Sequence, residues 1–96
     1  MAALKDILSQ RDEILRIAAE HGARDLRVFG SVVRGEAQDA SDLDVLVNLD
    51  EDRSLLDRVA LKQDLEDLLG CEVDVVTEGA VHRLLRDRIL AEAVPL

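Results

Sequence analysis

Apolar residues in the first part of the chain recur at the spacing of one face of a helix. These positions are Leu4, Ile7, Leu8, Ile14, Leu15 and Ala18. Gly22 follows them, and glycine commonly ends a helix because it adopts the left-handed conformation without strain. The pattern therefore predicts one amphipathic helix that stops at Gly22.

Three later segments have the patterning of short β-strands. Residues 25–29 alternate between polar and apolar side chains, residues 42–47 do the same, and residues 71–76 are rich in valine. Successive side chains of a strand point to opposite faces of the sheet. In residues 42–47 this alternation places Leu43, Val45 and Val47 on the core face, and Asp42, Asp44 and Leu46 on the other.

Helices and turns are expected between and after these strands. A helical turn is predicted over residues 31–35, followed by a polar loop through residue 40, and residues 48–52 read as a polar turn. Ser54 and Gly70 bracket a second long helix, because serine caps helix starts and glycine ends helices. A last helix is expected over residues 82–93, and the proline at position 95 prevents its continuation.

The resulting order of elements is α-β-(turn)-β-α-β-α. It predicts an α/β (α+β) domain, in which a small mixed β-sheet carries helices packed against it. A chain of 96 residues has room for one domain only, spanning residues 1–96. Its apolar residues are almost all aliphatic, since it contains one Phe and neither Trp nor Tyr.

Charge and cysteine content narrow the functional classes. The chain has 21 acidic and 12 basic residues, a net charge of −9, which disfavours direct binding to a nucleic-acid backbone. Cys71 is the one cysteine, so no intramolecular disulfide can form and a reducing cytoplasm is expected. The sequence shows no signal peptide and no apolar run of about 20 residues, so no membrane association is expected.

The stretch GSVVRGEAQDASDLD carries the strongest chemical signal. Ten residues separate the pair Gly30-Ser31 from Asp42, and Asp44 follows two positions later. A Gly-Ser turn offers backbone N–H groups and a hydroxyl to phosphate oxygens. Carboxylates at i and i+2 of a strand share a face and can bind divalent metal ions together. The pattern indicates chemistry on a nucleoside triphosphate.

Asp74 is the third candidate carboxylate. It stands between Val73 and Val75 in the third predicted strand, so it points away from their face. If the second and third strands are neighbours in register, Asp74 joins Asp42 and Asp44. Such a cluster is unfavourable unless cations compensate it, and Mg²⁺ is the expected ion because it prefers oxygen ligands.

This pattern resembles the nucleotidyltransferase superfamily of the polymerase-beta type. Arg34-Gly35 within GSVVRG and Ser41 before Asp42 are similar to the small prokaryotic branch, the minimal nucleotidyltransferases of the MntA class. The similarity covers the whole chain, including the closing RDRILAEAVPL. It implies an antitoxin that transfers AMP from ATP to a hydroxyl, typically of tyrosine, on a HEPN-domain ribonuclease toxin. Pyrophosphate is the other product.

The resemblance also implies roles for the acidic residues. Asp42 and Asp44 would ligate metal, with two Mg²⁺ ions expected. Asp74 would complete the second metal site and help to deprotonate the attacking hydroxyl.

The same resemblance assigns the nucleotide-binding residues. Gly30 would let the backbone approach the β- and γ-phosphates of ATP, and Ser31 would hydrogen-bond them. Arg34 is a candidate phosphate contact whose direction the sequence leaves open. Ser41 is interpreted as a turn or capping residue, and His82, at a predicted helix start, as a structural residue.

Two other functions remain open at this level. The first is a non-catalytic binding module that neutralises the toxin by masking its active site, which suits so short a chain. The second is nucleotidylation of an antibiotic or other small molecule. Larger relatives with that activity usually carry an added helical domain, which this chain lacks.

Overall fold

The computed structural model describes residues 3–36 and 42–96. Its elements, in chain order, are α1 (Leu4–Ser9), α2 (Arg11–Glu20), β1 (Ala23–Phe29), α3 (Ser31–Arg34), β2 (Leu43–Leu49), α4 (Leu55–Leu69), β3 (Val73–Thr77), a 3-10 turn (Glu78–Ala80), α5 (Arg83–Glu92) and β4 (Val94–Pro95). The α+β class is confirmed. The predicted loop through residue 40 and the capping residue Ser41 lie outside the described residues. Within the described ranges, the helices are too short or too polar to cross a bilayer.

The four strands form one mixed sheet in the order β3-β2-β1-β4. Strand β2 pairs with β1 antiparallel and with β3 parallel, and β4 pairs antiparallel with the other side of β1. Parallel neighbours need a long crossover connection, which α4 supplies between β2 and β3. Strand β3 consequently lies at one edge of the sheet.

Helices α2 and α4 cover one face of the sheet and enclose the main core. Leu61 and Leu65, one turn apart on α4, are completely buried. The remaining core positions follow the predicted alternation of the strands and the helical spacing of α2. The buried cluster consists of Ile7, Ile14, Ile17, Ala18, Ala23, Leu26, Val28, Val32, Leu43, Val45, Val47, Leu61, Leu65, Val73 and Val75.

The opposite face of the sheet is also partly covered. Leu46 lies on this face, two positions after Asp44, and is completely buried although it is not part of the main cluster. Its neighbours in register are Arg27 on β1 and Val76 on β3. The face that carries Asp44 is therefore only partly open to solvent.

The prediction of a single N-terminal helix is wrong, because the helix is broken at Gln10. Its φ and ψ angles of −104° and 15° lie outside the helical range, and its N–H donates to the carbonyl of Ile7 at 3.1 Å. The hydroxyl of Ser9 donates to the carbonyl of Asp6 at 2.7 Å. A continuous helix would pair that carbonyl with Gln10, so the serine side chain competes with the helical hydrogen bond.

The strands also differ from the prediction: β1 begins at Ala23 rather than at residue 25, and β3 spans Val73–Thr77 rather than residues 71–76. Strand β2 continues through Leu49, because Asn48 and Leu49 still pair with β1, so the predicted polar turn begins later. At the C-terminus the chain forms β4, which the sequence pattern did not predict, and Leu96 donates its N–H to the carbonyl of Leu26 at 3.0 Å. A two-residue strand shows no alternation, and Pro95 is tolerated because it lies on an edge strand.

The predicted boundaries of α4 and α5 agree with the structure to within a residue or two. Ser54 caps α4 by accepting the N–H of Leu56 at 3.2 Å, and Gly70 ends that helix with a φ of 70°. His82 caps α5, since its Nδ1 accepts the N–H of Leu84 at 3.3 Å. His82 therefore has the structural role expected of it.

The burial of α4 predicts unequal effects of leucine truncation along this helix. We expect Leu61→Ala to lower the free energy of unfolding by about 2–5 kcal/mol, because a buried methyl-bearing side chain is lost and a cavity remains. Leu56→Ala is the matched control, since its side chain is 78% exposed, and it should change stability by at most about 0.5 kcal/mol. Urea denaturation followed by circular dichroism measures both, and equal effects would contradict this core.

Candidate active site

Gly30 forms a tight turn between β1 and α3, directly against the side chain of Asp44. Its φ and ψ angles are 82° and −152°, a backbone region that only glycine adopts readily. A Cβ atom at this position would collide with Oδ2 of Asp44 and would lie 3.2 Å from its Cγ. The half-buried Ser31 begins α3 immediately after this turn. The Gly-Ser pair and Asp44 are thus in direct proximity, as the spacing suggested.

Strand pairing places Asp44 beside Asp74. The two residues are partners in the parallel register of β2 and β3, so their side chains leave the same face of the sheet. Asp44 is half-buried and Asp74 is exposed on the edge strand. Asp42 precedes β2 by one residue and is exposed. The condition on which the sequence argument depended, neighbouring strands in register, is met.

The carboxylates disfavour one another's charge. Partial burial raises the pKa of Asp44, the negative charges of Asp74 and Asp42 raise it further, and Arg34 opposes them. A carboxyl whose pKa is raised by folding stabilises the fold at low pH, and that contribution is lost as the pH rises through the raised pKa. At neutral pH, without a cation, ionised Asp44 is therefore a destabilising group.

The donor set fits a hard divalent cation. Asp42, Asp44 and Asp74 offer carboxylate oxygens only, and Mg²⁺ is commonly held by one or two carboxylates together with phosphate oxygens and water. A cation here would also relieve the repulsion that raises the pKa of Asp44. As the side chains stand in residues 3–36 and 42–96, no three acidic, His or Cys groups are close enough to hold a metal ion together.

The structure also gives the direction of Arg34, which the sequence left open. Its Nη1 donates to Oε1 of Glu92 at 2.6 Å, and its Nε donates to Oε2 of Glu36 at 3.2 Å. The other carboxylate oxygen of Glu92 accepts the N–H of Gly30 at 3.2 Å. The guanidinium of Arg34 and the amide of Gly30 therefore converge on a single carboxylate.

Glu92 is the residue of this region that sequence reasoning missed. It lies 62 positions after Gly30, at the end of α5, and no spacing rule connects the two. The hydrogen bond from Arg34 is the main cause that lowers the pKa of Glu92, and the Gly30 amide adds to it. Glu92 is accordingly ionised at neutral pH.

Two depressions lie next to these residues. One, with a volume of about 390 Å³, lies between α3 and α5; it is lined by Arg34, Leu85, Arg88, Ile89 and Glu92. The other, of about 220 Å³, lies between α4 and β3; it is lined by Arg58, Val59, Lys62, Asp74 and Val75. The larger depression therefore borders Arg34 and Glu92, and the smaller one borders Asp74.

The contact between Gly30 and Asp44 predicts a difference between two glycine substitutions. We expect Gly30→Ala to destabilise the protein more than Gly35→Ala does, because the new Cβ meets the Asp44 carboxylate. Gly35 is a control for positive φ only: its φ and ψ of 74° and 20° lie in the left-handed region, which alanine adopts at lower cost than the conformation of Gly30, and a Cβ there meets none of the described atoms within 4 Å. Placing alanine in the left-handed region costs about 1–2 kcal/mol by itself. Equal free energies of unfolding for the two variants would contradict the contact.

Comparison with known proteins adds independent information about the chain. Residues 4–96 match the family model of the nucleotidyltransferase domain. The chain is 50% identical over 82 residues to MJ0435 of Methanocaldococcus jannaschii, assigned as a protein adenylyltransferase, covering 85% of this chain and 88% of that protein. It is 40% identical over 91 residues to the protein adenylyltransferase MntA of Thermococcus cleftensis, covering 95% and 90% of the two chains.

Comparison with solved structures supports the same family. A structure assigned as a minimal nucleotidyltransferase has a TM-score of 0.89 and 48% identity, and the match covers 99% of this chain and 97% of the other. A complex of a tri-AMPylated HEPN toxin from Shewanella oneidensis with its MNT antitoxin matches with a TM-score of 0.69. That match has 18% identity, covers 92% of this chain and 69% of the other, and so concerns the fold alone. The chain belongs to the nucleotidyltransferase domain family, and within that family to the minimal, MntA-type branch.

Proposed function

We propose that this nucleotidyltransferase is a Mg²⁺-dependent protein adenylyltransferase that acts as an antitoxin. It transfers AMP from ATP to a hydroxyl, that of a tyrosine, on a cognate HEPN-domain ribonuclease toxin and releases pyrophosphate. The observation that carries the proposal is the pairing of Asp44 with Asp74 directly beside the Gly30 turn. The names of the relatives, protein adenylyltransferase and MNT antitoxin of a HEPN toxin, support the acceptor.

Asp42, Asp44 and Asp74 hold the metal in this proposal. Their oxygens suit two Mg²⁺ ions, which when bound supply positive charge to the phosphates at the reacting centre. The raised pKa of Asp44 supports this assignment, because it reflects first the partial burial of the carboxylate and then the negative charges of Asp74 and Asp42, and a cation would offset both.

Gly30, Ser31 and Arg34 bind the nucleotide in this proposal. The absence of a side chain at Gly30 brings the backbone against the carboxylate of Asp44, so phosphates on the Gly30 amide would lie next to the metal-binding residues. Ser31 contributes a hydroxyl at the start of α3. Arg34 has its guanidinium on the same anion as the Gly30 amide, which supports its assignment to a phosphate.

Asp74 receives the proton of the acceptor. The oxygen of the acceptor hydroxyl forms a bond to the α-phosphorus of ATP, and the bond from that phosphorus to the oxygen of the β-phosphate breaks. The hydroxyl proton passes to the carboxylate of Asp74, and pyrophosphate leaves. Asp74 suits this role because it is exposed on the edge strand β3, where a hydroxyl on a second protein can approach it.

A second candidate function is a non-catalytic module that neutralises the toxin by covering its active site. Exposed leucines on α4 and α5 favour it, because large apolar side chains at a surface are typical of protein contacts. Leu55, Leu56, Leu84 and Leu85 are 53–78% exposed. A catalytic antitoxin would use the same contacts with its toxin. Substitution of the metal-binding carboxylates is therefore needed to distinguish the two functions.

Replacing both metal-binding carboxylates of β2 tests the proposal directly. We expect Asp42→Asn with Asp44→Asn to abolish AMP transfer to the cognate toxin, measured as the gain in toxin mass with ATP and Mg²⁺. The fold should persist, and without divalent ions its thermal midpoint should rise, because the amide removes a partly buried charge and the repulsion around it.

Asp50→Asn with Asp52→Asn is the matched control for that variant. It removes the same charge at the same spacing from the exposed turn after β2, and AMP transfer should stay at the wild-type level. If the purified wild-type chain, toxin, ATP and Mg²⁺ give no AMP-modified product, the enzymatic proposal is wrong. If the Asp42/Asp44 variant still neutralises the toxin fully, the masking module is the correct function.

The role of Asp74 makes a separate prediction. We expect Asp74→Asn to lower the rate of AMP transfer by about 100-fold or more, the usual contribution of a positioned acid or base. Glu72→Gln is the control, since Glu72 is exposed immediately before β3 and should leave the rate unchanged. Quench-flow measurement of toxin modification compares them, and a similar rate for Asp74→Asn and wild type would exclude Asp74 from the reaction.

A further inference from the structure

Glu92 occupies the two donors that the proposed function assigns to phosphate. One of its carboxylate oxygens accepts the Gly30 N–H at 3.2 Å, and the other accepts Nη1 of Arg34 at 2.6 Å. A carboxylate and a phosphate oxygen pair use the same donors, with similar geometry and the same sign of charge. The Glu92 side chain is thus an internal anion in the position expected for an external one.

The cleft beside this contact is suited to a larger anion. Arg34 and Arg88 contribute two positive charges to its lining and Glu92 one negative charge, so the lining is net positive in a chain with a net charge of −9. Leu85 and Ile89 complete the lining, and the volume is about 390 Å³. Anions are therefore attracted to a surface that Glu92 partly neutralises.

We propose that Glu92 is an intramolecular competitor for the nucleotide's phosphates. In the nucleotide-free protein it holds the Gly30 amide and Arg34, and a polyphosphate binds by displacing it from both donors. Arg88 then contributes the second cation of the cleft. This inference rests on the proposed function, because it concerns the same phosphate-binding residues, but it adds a closed state that lowers nucleotide affinity.

Displacement needs only a change of side-chain conformation. Glu92 is the last residue of α5, and the backbone that follows is fixed by the pairing of Val94 with Val28 in β1. The side chain itself is 26% exposed and lines the cleft, so it can rotate towards solvent there. The hydrogen bonds of β4 are retained in the open state.

An alternative role for Glu92 makes the opposite prediction. Glu92 could serve as a positioning residue that holds Arg34 in place for the nucleotide, and its loss would then weaken binding. A competitor, in contrast, reduces the fraction of molecules that can bind, so its loss strengthens binding in proportion to that fraction. The sign of the change separates the two roles.

Isothermal titration with Mg²⁺ and a non-hydrolysable ATP analogue tests the proposal, with inorganic tripolyphosphate as a second probe. We expect Glu92→Gln to bind both probes about tenfold more tightly than wild type, as when a closed form of about 90% occupancy is removed. Glu36→Gln is the matched control: it removes the carboxylate charge that accepts a hydrogen bond from Nε of Arg34, whereas the Gly30 N–H is hydrogen-bonded to Glu92. Its affinity should stay within about twofold of wild type, since an exposed ion pair contributes little.

The outcomes separate this inference from the proposed function. Wild-type binding with no tightening in Glu92→Gln overturns the competitor, and weaker binding assigns Glu92 to positioning instead. If Glu36→Gln increases the affinity as much as Glu92→Gln does, the increase comes from the loss of any negative charge near Arg34, and the competitor role is also overturned. No binding of either probe to any variant overturns the nucleotide site as well.

Glu92→Asp replaces Glu92→Gln if circular dichroism shows that the glutamine variant is unfolded. The shorter aspartate side chain cannot reach both donors, so tighter binding is again expected. Unchanged affinity of this variant overturns the inference.

Discussion

The repulsion between Asp44 and Asp74 is the constraint on which the rest of this structure depends. Paired like charges on neighbouring strands are unfavourable, and partial burial of Asp44 makes the pair more so. The sheet tolerates them because the opposite sides of the same strands are buried in the core. Val45 and Val73, each next to one of the aspartates, are almost completely buried. Hydrophobic burial on one face thus holds a charged pair in place on the other.

Charged groups of both signs lie around Gly30, and the acidic ones outnumber the basic ones. Arg34 lowers the pKa of Asp44, whereas Glu92 raises it, and Arg34 and Glu92 are themselves hydrogen-bonded to each other. A bound phosphate adds negative charge and a bound divalent ion adds positive charge to the same small volume. Binding of the two is therefore expected to be mutually favourable, since each offsets the repulsion that the other would meet.

Local features of the site could be predicted from the sequence, and distant ones could not. Gly30 and Asp44 come together because a tight turn follows one strand and an aspartate lies on the next, both readable from spacing and alternation. Asp74 lies beside Asp44 only because β2 and β3 are parallel neighbours in register. The sequence pattern does not reveal which strands are neighbours, so this placement could be predicted only on that condition. Glu92 reaches Gly30 through the packing of α5 and the two-residue strand β4, and neither leaves a periodic signal. The break at Gln10 is accompanied by a serine hydroxyl that competes for a backbone carbonyl, and apolar spacing carries no signal for such a contact.

The shape of the surface around Asp74 bears on the kind of acceptor. Pockets that bind small molecules usually enclose about 300–1,000 Å³ and bury most of the ligand. The groove beside Asp74 measures about 220 Å³ and lies at the open edge of the sheet. A small acceptor would be held weakly there, whereas a side chain presented by a second protein is positioned by contacts elsewhere. The exposed leucines of α4 and α5 can supply such contacts. A macromolecular acceptor agrees with the protein adenylyltransferase names of the relatives.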